Sequence, residues 1–218
     1  MTAEKSLFVT FEGGEGCGKS SQSRALYRRL HNLELPVLLV HEPGGTPLGK
    51  RITRLLKWDK RCTLSPLAEL CLFNASRSEL VASVIRPHLE NGFIVICDRY
   101  TDSTIAYQSY GRRLPRDIVQ QVNNAATGGL EPDITILLDL DVTEGLARKK
   151  KAVPDRFEVE ALVFHKRVRQ GFLELARQDS KRWLVIDAAL SPLTIRQMIW
   201  RRLTPWLPPA KADHSSPA

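Results

Sequence analysis

Short apolar runs alternate along the chain with longer stretches of helical periodicity, a pattern typical of a parallel sheet covered by helices. The runs are rich in β-branched and aromatic residues and apolar on both faces, as buried parallel strands are. They predict strands at Leu7–Phe11, Val37–Val40, Phe93–Cys97, Ile134–Leu140 and Trp183–Ile186. The predicted fold class is α/β, with a five-stranded parallel sheet as the middle of three layers.

Apolar residues three and four positions apart predict the connecting helices. Ser65 and Pro66 fit the N-cap and first position of the second helix, and Pro87 should kink or end it. We see no internal repeat, so residues 1–203 are expected to form one domain, followed by a Pro/Ser/Ala-rich tail, 204–218, disordered at its end. The predicted helices are Lys19–Leu33, Pro66–Asn91, Pro115–Ala126, Thr143–Lys150, Glu158–Gln178 and Pro192–Leu203.

Composition changes this picture little. Of the 218 residues, 43% are hydrophobic and 26% charged, as in an ordinary globular protein, and no apolar run is long enough to span a membrane. The N-terminal residues lack the features of a signal peptide, so a mature N-terminus and a cytoplasmic location are expected. The cysteines lack the spacing of a metal site or disulfide framework and are expected to be reduced and packed; they are Cys17, Cys62, Cys71 and Cys97.

The net charge of +8 is consistent with a nucleic-acid surface, or with a site for phosphorylated small molecules beside solvated helix faces. No basic patch interleaved with aromatic residues is visible, and we therefore expect neither a nucleic-acid nor a membrane partner.

The strongest chemical signal is the segment GGEGCGKS, which fits G-x-x-x-x-G-K-[ST] between a predicted strand and a predicted helix. In such a P-loop, backbone N–H groups surround phosphate oxygens, the lysine spans the β- and γ-phosphates and the hydroxyl ligates Mg²⁺. The segment predicts a P-loop NTPase fold that binds ATP through Gly13, Gly14, Glu15, Gly16, Cys17, Gly18, Lys19 and Ser20. A carboxylate beside a triphosphate, at Glu15, needs an explanation.

Acidic residues end two of the predicted strands. Asp98 follows one strand and precedes Arg99, a pair able to organise Mg²⁺ and neutralise a second phosphate. Asp139 and Asp141 end another strand, where capping is the simpler interpretation. The polar segment after Arg99, TDSTIAYQ, favours Asp98 as the metal residue, together with Ser20.

Two further features converge on the same edge of the sheet. Phe73 and Arg77 lie four apart on one predicted helix face, where a ring can stack on a base and a guanidinium can bind its edge. Residues 41–51, HEPGGTPLGKR, form a Pro/Gly-rich segment after the second strand, which predicts a loop. In open α/β sheets, ligands bind at the carboxyl ends of the strands, where all these segments meet.

In this order and spacing, EGGEGCGKSSQ, EPGGTPLG, the Phe73–Arg77 helix, DRYTDSTIAYQ, ILLDLD and DRFE resemble the thymidylate kinase family, particularly its bacterial branch. The resemblance covers roughly residues 6–203. It implies a homodimer that uses Mg²⁺ to transfer the γ-phosphoryl group of ATP to dTMP, giving dTDP for dTTP synthesis.

The resemblance also implies roles for individual residues. Phe73 would stack on thymine, Arg77 would bind its exocyclic oxygen and Thr104 would meet N3. Tyr107 would crowd the 2′ position, Glu15 would accept from the 3′-hydroxyl, and Arg99 would bind the dTMP phosphate while Asp98 organises Mg²⁺. The complete implied dTMP set is Glu15, Pro43, Phe73, Arg77, Arg99, Ser103, Thr104, Tyr107 and Gln108.

One family branch carries an arginine inside the P-loop, where this chain has Gly16. The other supplies cations from a lid, expected here at about residues 148–157 (RKKKAVPDRF). The implied catalytic set is Lys19, Asp98, Arg99, Arg156 and Arg148, with Arg156 the first lid candidate and Arg148 the second.

The chain departs from the family at His41 and Thr53, where many bacterial members carry arginine. The arginine that holds the dTMP phosphate in those members corresponds to Thr53, so the sequence leaves the second phosphate-binding cation open. Arg51 and Arg54 point about 200° and 100° away from Thr53 on a helix.

Two other functions stay open at this level. A related P-loop kinase could act on another nucleoside monophosphate or on a deoxynucleoside, which the residues around the base would decide. A P-loop ATPase that switches a partner or binds DNA would fit the positive charge, but does not require a second phosphate-binding constellation.

Overall fold

The computed structural model describes residues 6–59, 63–149 and 154–208. Five parallel strands form one sheet in the order β2-β3-β1-β4-β5, with β1 in the centre. The strands are β1 (Leu7–Glu12), β2 (Val37–His41), β3 (Ile94–Asp98), β4 (Ile134–Asp139) and β5 (Trp183–Asp187). All five lie within a residue or so of their predicted bounds, and the predicted α/β class is confirmed.

The helices cover both faces of this sheet. They are α1 (Lys19–Asn32), α2 (Pro47–Lys57), α3 (Pro66–Leu80), α4 (Arg86–Glu90), α5 (Thr101–Thr104), α6 (Arg116–Thr127), α7 (Val142–Lys149), α8 (Leu162–Gln178) and α9 (Pro192–Leu203). Short π-helical segments extend α3 over Val81–Ile85 and α5 over Ile105–Gly111. A 3₁₀ turn follows α9 at Thr204–Trp206.

Alternation along β1 divides the core into two layers. Leu7, Val9 and Phe11 pack against residues of α1 and α9 on one face. Phe8 faces the opposite layer, where it packs with Leu80 and other residues from the end of α3. Every side chain of β1 is thereby buried, which explains why the sequence of this central strand is apolar at successive positions.

Two helical segments differ from the sequence prediction. Helix α2 begins inside the segment predicted as a loop, because Thr46 accepts a hydrogen bond from the amide of Gly49 at 3.0 Å and Pro47 occupies the first turn. The segment after β3, for which no helix was predicted, is helical from Thr101 to Gly111.

Pro87 does not end its helix. The helical path continues to Glu90, and the N–H of Arg86 bonds to the carbonyl of Val81 in the wider turn just before the proline. This widened turn lies where a proline prevents a regular hydrogen bond. Helix α8 begins at Leu162, later than predicted, after a series of turns.

The predicted lid and tail are described in part. Three parts of the sequence predictions lie outside the described residues: positions 150–153 of the lid, Cys62, and positions 209–218 of the tail. At the start of the tail, Trp206 and Leu207 pack against the core layer of α1 and α9. Among the helices that the structure describes, none has the length and apolarity needed to cross a membrane.

Candidate functional site

The loop after β1 encloses the side chain of Lys19. Its ammonium donates to the carbonyl oxygens of Gly13 at 3.0 Å and Gly14 at 2.7 Å. Helix α1 begins at Lys19, and Gly18 precedes it with φ +93° and no side-chain cap, so the first amides of the helix face the loop. A helix terminus of this kind favours bound phosphate. A cleft of about 760 Å³ opens here, lined by Glu15, Gly16, Gly18, Lys19 and Ser20 among others.

Helix α7 packs backbone to backbone against this loop. A Cβ atom on Gly16, which has φ +69°, would overlap the carbonyl oxygen of Gly145, and a Cβ on Gly145 would overlap that of Glu15. No side chain fits at Gly16, arginine included. The same packing holds Arg148 and Lys149, at the end of α7, on the wall of the cleft.

Asp98 meets the P-loop at the carboxyl end of β3. It pairs in register with Phe11 of β1, and its carboxylate accepts a hydrogen bond from the hydroxyl of Ser20. Two hard oxygen ligands at this position suit Mg²⁺, which commonly binds one or two protein oxygens together with water and phosphate. Within the described parts of the chain, no three His, Cys, Asp or Glu side chains form a metal cluster.

The competing strand end at β4 has other partners. Both carboxylate oxygens of Asp139 accept hydrogen bonds from Arg169, at 2.7 and 2.9 Å. Asp141 accepts from the amides of Thr143 and Glu144 and so caps the start of α7. These bonds give Asp139 and Asp141 structural roles in this conformation.

Glu15 turns away from the loop backbone and towards β3. Its carboxylate lies 2.9 Å from the Arg99 guanidinium and accepts a 2.8 Å hydrogen bond from Tyr107. Burial would raise the pKa of Glu15, but the positive charges of Arg99 and Lys19 outweigh burial and hold that pKa well below its usual range. Glu15 is therefore an ionised hydrogen-bond acceptor.

Arg99 joins the loop to the segment that follows β3. It has φ +72°, a left-handed conformation uncommon for a residue with a side chain. From there its guanidinium donates to the carbonyl of Gly13 at 3.0 Å and to the hydroxyl of Ser103 at 3.1 Å.

Glu12 lies completely buried beneath this segment and holds it in place. Its carboxylate accepts from the amide of Tyr100 at 2.8 Å, the amide of Ser103 at 3.3 Å and the hydroxyl of Ser103 at 2.5 Å. Burial and the neighbouring Asp102 raise the pKa of Glu12 to about 7, against the opposing effect of the Ser103 hydrogen bond. From the sequence, no role is assigned to Glu12.

A second cavity adjoins the P-loop cleft. The ring of Phe73 forms part of its wall, 5.6 Å from the ring of Phe157, which in turn lies edge-on to Tyr107. Polar side chains line the opposite side. The predicted dTMP residues all line this cavity: Glu15, Pro43, Phe73, Arg77, Arg99, Ser103, Thr104, Tyr107 and Gln108.

Arg77 is almost completely buried, with only 1% of its surface exposed. It donates to Glu42 at 2.7 Å, to Thr104 at 2.8 Å, to Asn123 at 2.9 Å and to the carbonyl of Tyr100 at 3.1 Å. A second nitrogen lies 2.6 Å from Glu42. Four of the five guanidinium N–H groups thus donate to protein acceptors, and the fifth lies on the nitrogen that is paired with Glu42, which leaves Arg77 little capacity for a hydrogen bond to a base.

The orientations of Thr104 and Gln108 follow from these neighbours. Because Arg77 can only donate, the Thr104 hydroxyl accepts from it and keeps its own proton for another partner. The amide nitrogen of Gln108 donates to the buried Glu69 at 2.9 Å, which identifies its other amide atom as the acceptor oxygen. Arg112 holds Glu69 with two hydrogen bonds of 3.0 Å.

The two lid candidates occupy different places. Arg148 lines the P-loop cleft, where it contacts Glu144 and the carbonyl of Ala188. Arg156 donates to the carbonyl of Asp59 at 2.7 Å and lines a separate cavity beside α2 and α3. Lys149, within the predicted lid, lies 3.7 Å from Glu15 and 2.7 Å from Glu158.

Four residues of the site escaped the sequence analysis. Glu42 and Lys57 line both cavities, Glu69 orients Gln108, and Gly145 contacts the P-loop. Glu42 stands in the EPGG motif and could have been singled out. The contacts of the other three join segments far apart in sequence, so no local pattern marked them.

Comparison with known proteins places this site in context. A model of the thymidylate kinase family matches residues 11–199. A thymidylate kinase of Dehalococcoides mccartyi is 58% identical over 91% of this chain and 96% of its own length, and one of a Roseiflexus species is 45% identical over 93% and 95%. The crystal structure of a thymidylate kinase from Ehrlichia chaffeensis superposes with a TM-score of 0.74 at 35% identity, over 91% of this chain and 98% of that one.

The P-loop on a parallel sheet, with a second polar cavity beside it, defines a nucleotide kinase of the P-loop class. Within that class, the chain belongs to the thymidylate kinase family.

Proposed function

We propose that this protein transfers the γ-phosphoryl group of ATP to dTMP, giving ADP and dTDP. One observation supports the transfer above all: the P-loop cleft and the Phe73 cavity are adjacent and share lining residues. The residues that line both are Glu15, Glu42, Pro43, Lys57 and Arg99. A donor on the loop and an acceptor in the second cavity would therefore meet beside Arg99, with their phosphates adjacent.

Positioning of both substrates is the main contribution of the protein to phosphoryl transfer. In the proposed complex, Lys19 exchanges its two carbonyl partners for the donor phosphates, and Arg99 holds the acceptor phosphate. Ser20 and Asp98 would hold Mg²⁺, which when bound neutralises charge on the transferring phosphates. Glu15 then faces the uncharged sugar, where an ionised carboxylate binds the 3′-hydroxyl and does not repel the donor.

Thymine recognition is proposed to depend on polar groups whose directions are fixed by buried charges. The Thr104 hydroxyl, free to donate, and the Gln108 oxygen, free to accept, complement a base edge that has both a carbonyl and an N–H group. Phe73 would stack on the base, while Arg77 acts mainly by holding Thr104.

Charge on the moving phosphoryl group is proposed to be stabilised by Arg148. It lines the P-loop cleft, and Gly16 leaves no space for a loop arginine. Arg156, in its described position beside α2 and α3, would need the segment around it to rearrange before it reached the donor.

The decisive experiment measures ADP formation with ATP, MgCl₂ and one acceptor at a time: dTMP, dUMP, dCMP, dGMP or thymidine. We expect dTMP to give the highest kcat/KM. ADP formation with dTMP no faster than with buffer would refute the proposal, and a preference for another nucleotide would assign a different acceptor. Lys19→Ala should lower kcat, because it removes a charge from the donor phosphates.

Dimer formation is proposed from the family resemblance, and the cytoplasmic location stays a prediction from the sequence. Sedimentation equilibrium of the purified protein at micromolar concentration would test the dimer, with a mass of about twice the 24.6 kDa chain as the expected result. A mass equal to that of one chain would contradict it.

A further inference from the structure

We propose that Lys57 is the second cation for the phosphate of the acceptor nucleotide, alongside Arg99. The inference rests on the proposed function, since it assigns a partner to the dTMP phosphate. Its basis is the place where the two cavities join. Of the five residues that line both cavities, the cations are Lys57 and Arg99. A nucleotide in the Phe73 cavity whose phosphate faces the P-loop would place that phosphate beside these shared residues.

Helix α2 directs the Lys57 side chain to the junction. Thr53, one turn earlier, lines the P-loop cleft but is uncharged, and its hydroxyl donates to the carbonyl of Gly49 at 2.7 Å. Four residues correspond to about 400° of helix, so Lys57 lies only about 40° around the axis from Thr53. The long side chain of Lys57 thus places a positive charge on the side of α2 that faces the substrates.

The other cations of α2 point elsewhere. Lys50, Arg51 and Arg54 are exposed to solvent and line neither cavity. This separates Lys57 from the two arginines that a reading of the sequence would consider first, because they are nearest to Thr53 along the chain.

The present partner of Lys57 can be replaced by a phosphate. Its ammonium lies 3.1 Å from Asp155, and 32% of the Lys57 side chain but only 9% of the Asp155 side chain is exposed, so the ion pair is solvated on the lysine side. The other oxygen of Asp155 accepts from the amides of Phe157 and Glu158, which keeps that carboxylate in place without Lys57. A phosphate dianion offers more charge and more acceptors than Asp155 does.

The remaining charges at the junction support the same assignment. Glu42 is paired with Arg77, and Glu15 with Arg99. The charge of Arg99 is therefore already partly neutralised by Glu15. A dianionic ligand beside Glu15 needs a further positive charge, which Lys57 supplies.

The test measures binding of dTMP and of thymidine to the full-length protein by isothermal titration calorimetry without ATP. Thymidine has the same base and sugar but lacks the phosphate. We expect Lys57→Met to weaken dTMP binding by about 10- to 100-fold, as for loss of a charge-assisted hydrogen bond, and to leave thymidine binding unchanged. Lys57→Arg should restore most of the dTMP affinity. Lys50→Met removes the same charge from an exposed site of α2 and should change the affinity for neither ligand.

Each other outcome overturns the assignment. Equal losses for dTMP and thymidine would show that Lys57 only shapes the cavity, and unchanged dTMP binding would show that it does not contact the phosphate. An equal loss of dTMP affinity in Lys50→Met would show that the effect comes from the overall charge of the protein. If the unmodified protein binds and phosphorylates dTMP but Lys57→Met behaves identically, only this inference fails; if the unmodified protein does not phosphorylate dTMP, the proposed function itself fails.

Discussion

The carboxylate of Glu15 lies 2.9 Å from the guanidinium of Arg99, so the loop proposed to hold the donor is bonded directly to the residue proposed to hold the acceptor phosphate. The pair explains why a phosphate-binding loop contains a carboxylate. Glu15 is directed sideways, where Arg99 and Tyr107 hold it. Its charge is thereby available to a sugar hydroxyl.

Glu15→Gln should weaken dTMP binding by about tenfold, since a charged acceptor of the 3′-hydroxyl is replaced by a neutral one. The matched ligand is 3′-deoxythymidine monophosphate, which lacks that hydroxyl and should bind the variant and the unmodified protein almost equally. Titration calorimetry with both ligands measures the difference. Equal losses for the two ligands would assign Glu15 to holding Arg99 instead.

Arg148→Ala should lower the single-turnover rate with ATP and dTMP by about 100-fold or more, the usual effect of removing a donor that stabilises a transition state. Arg156→Ala should have a much smaller effect, because Arg156 lies beside α2 and α3 in the described conformation. Rapid quenching at saturating substrate measures both rates. A larger rate loss in Arg156→Ala than in Arg148→Ala would mean that the segment around Arg156 rearranges and that Arg156 stabilises the transferring phosphoryl group.

Arg77→Met should destabilise the protein by about 3–5 kcal/mol, because it leaves the buried carboxylate of Glu42 without its counter-charge. Unfolding in urea measures this change. In the double variant with Glu42→Gln, much of the lost stability should return, since the uncompensated charge is gone. If the double variant loses as much stability as the two single variants together, Arg77 and Glu42 are not directly coupled.

Glu12 should make the free energy of unfolding depend on pH. Its pKa rises from 4.5 to about 7 on folding, so the folded protein retains a proton that the unfolded chain releases. Between about pH 4.5 and 7 this contribution to stability falls as pH rises, and above pH 7 it is constant. A shift of this size corresponds to a few kcal/mol at most.

Comparison with Glu12→Gln isolates the effect. The difference in unfolding free energy between the unmodified protein and the variant should fall across pH 5–7 and level off above it. Glu79→Gln changes an exposed carboxylate of α3 and serves as the control. A difference that stays constant over this range would show that Glu12 is ionised in the folded protein.

Local pattern was sufficient for the sheet and for the P-loop. Five apolar runs predicted five strands, and the order of motifs predicted the family, which the comparisons confirm. The start of helix α2 was misplaced for a physical reason: the Pro and Gly residues of 41–51 suggested a loop, whereas Thr46 and Pro47 form a helix start and Gly49 is tolerated inside the first turn.

The sequence by itself determined what depends on neighbouring residues: buried strands, helix periodicity and a glycine-rich loop that ends in Lys19. It could not determine which distant groups share a space. Gly16 admits no side chain because Gly145 lies against it, and Arg77 is held in place because Glu42, Thr104 and Asn123 surround it. Lys57 lines both cavities because α2 packs beside them. These relationships follow from packing between segments that are remote in sequence, and only the tertiary structure specifies that packing.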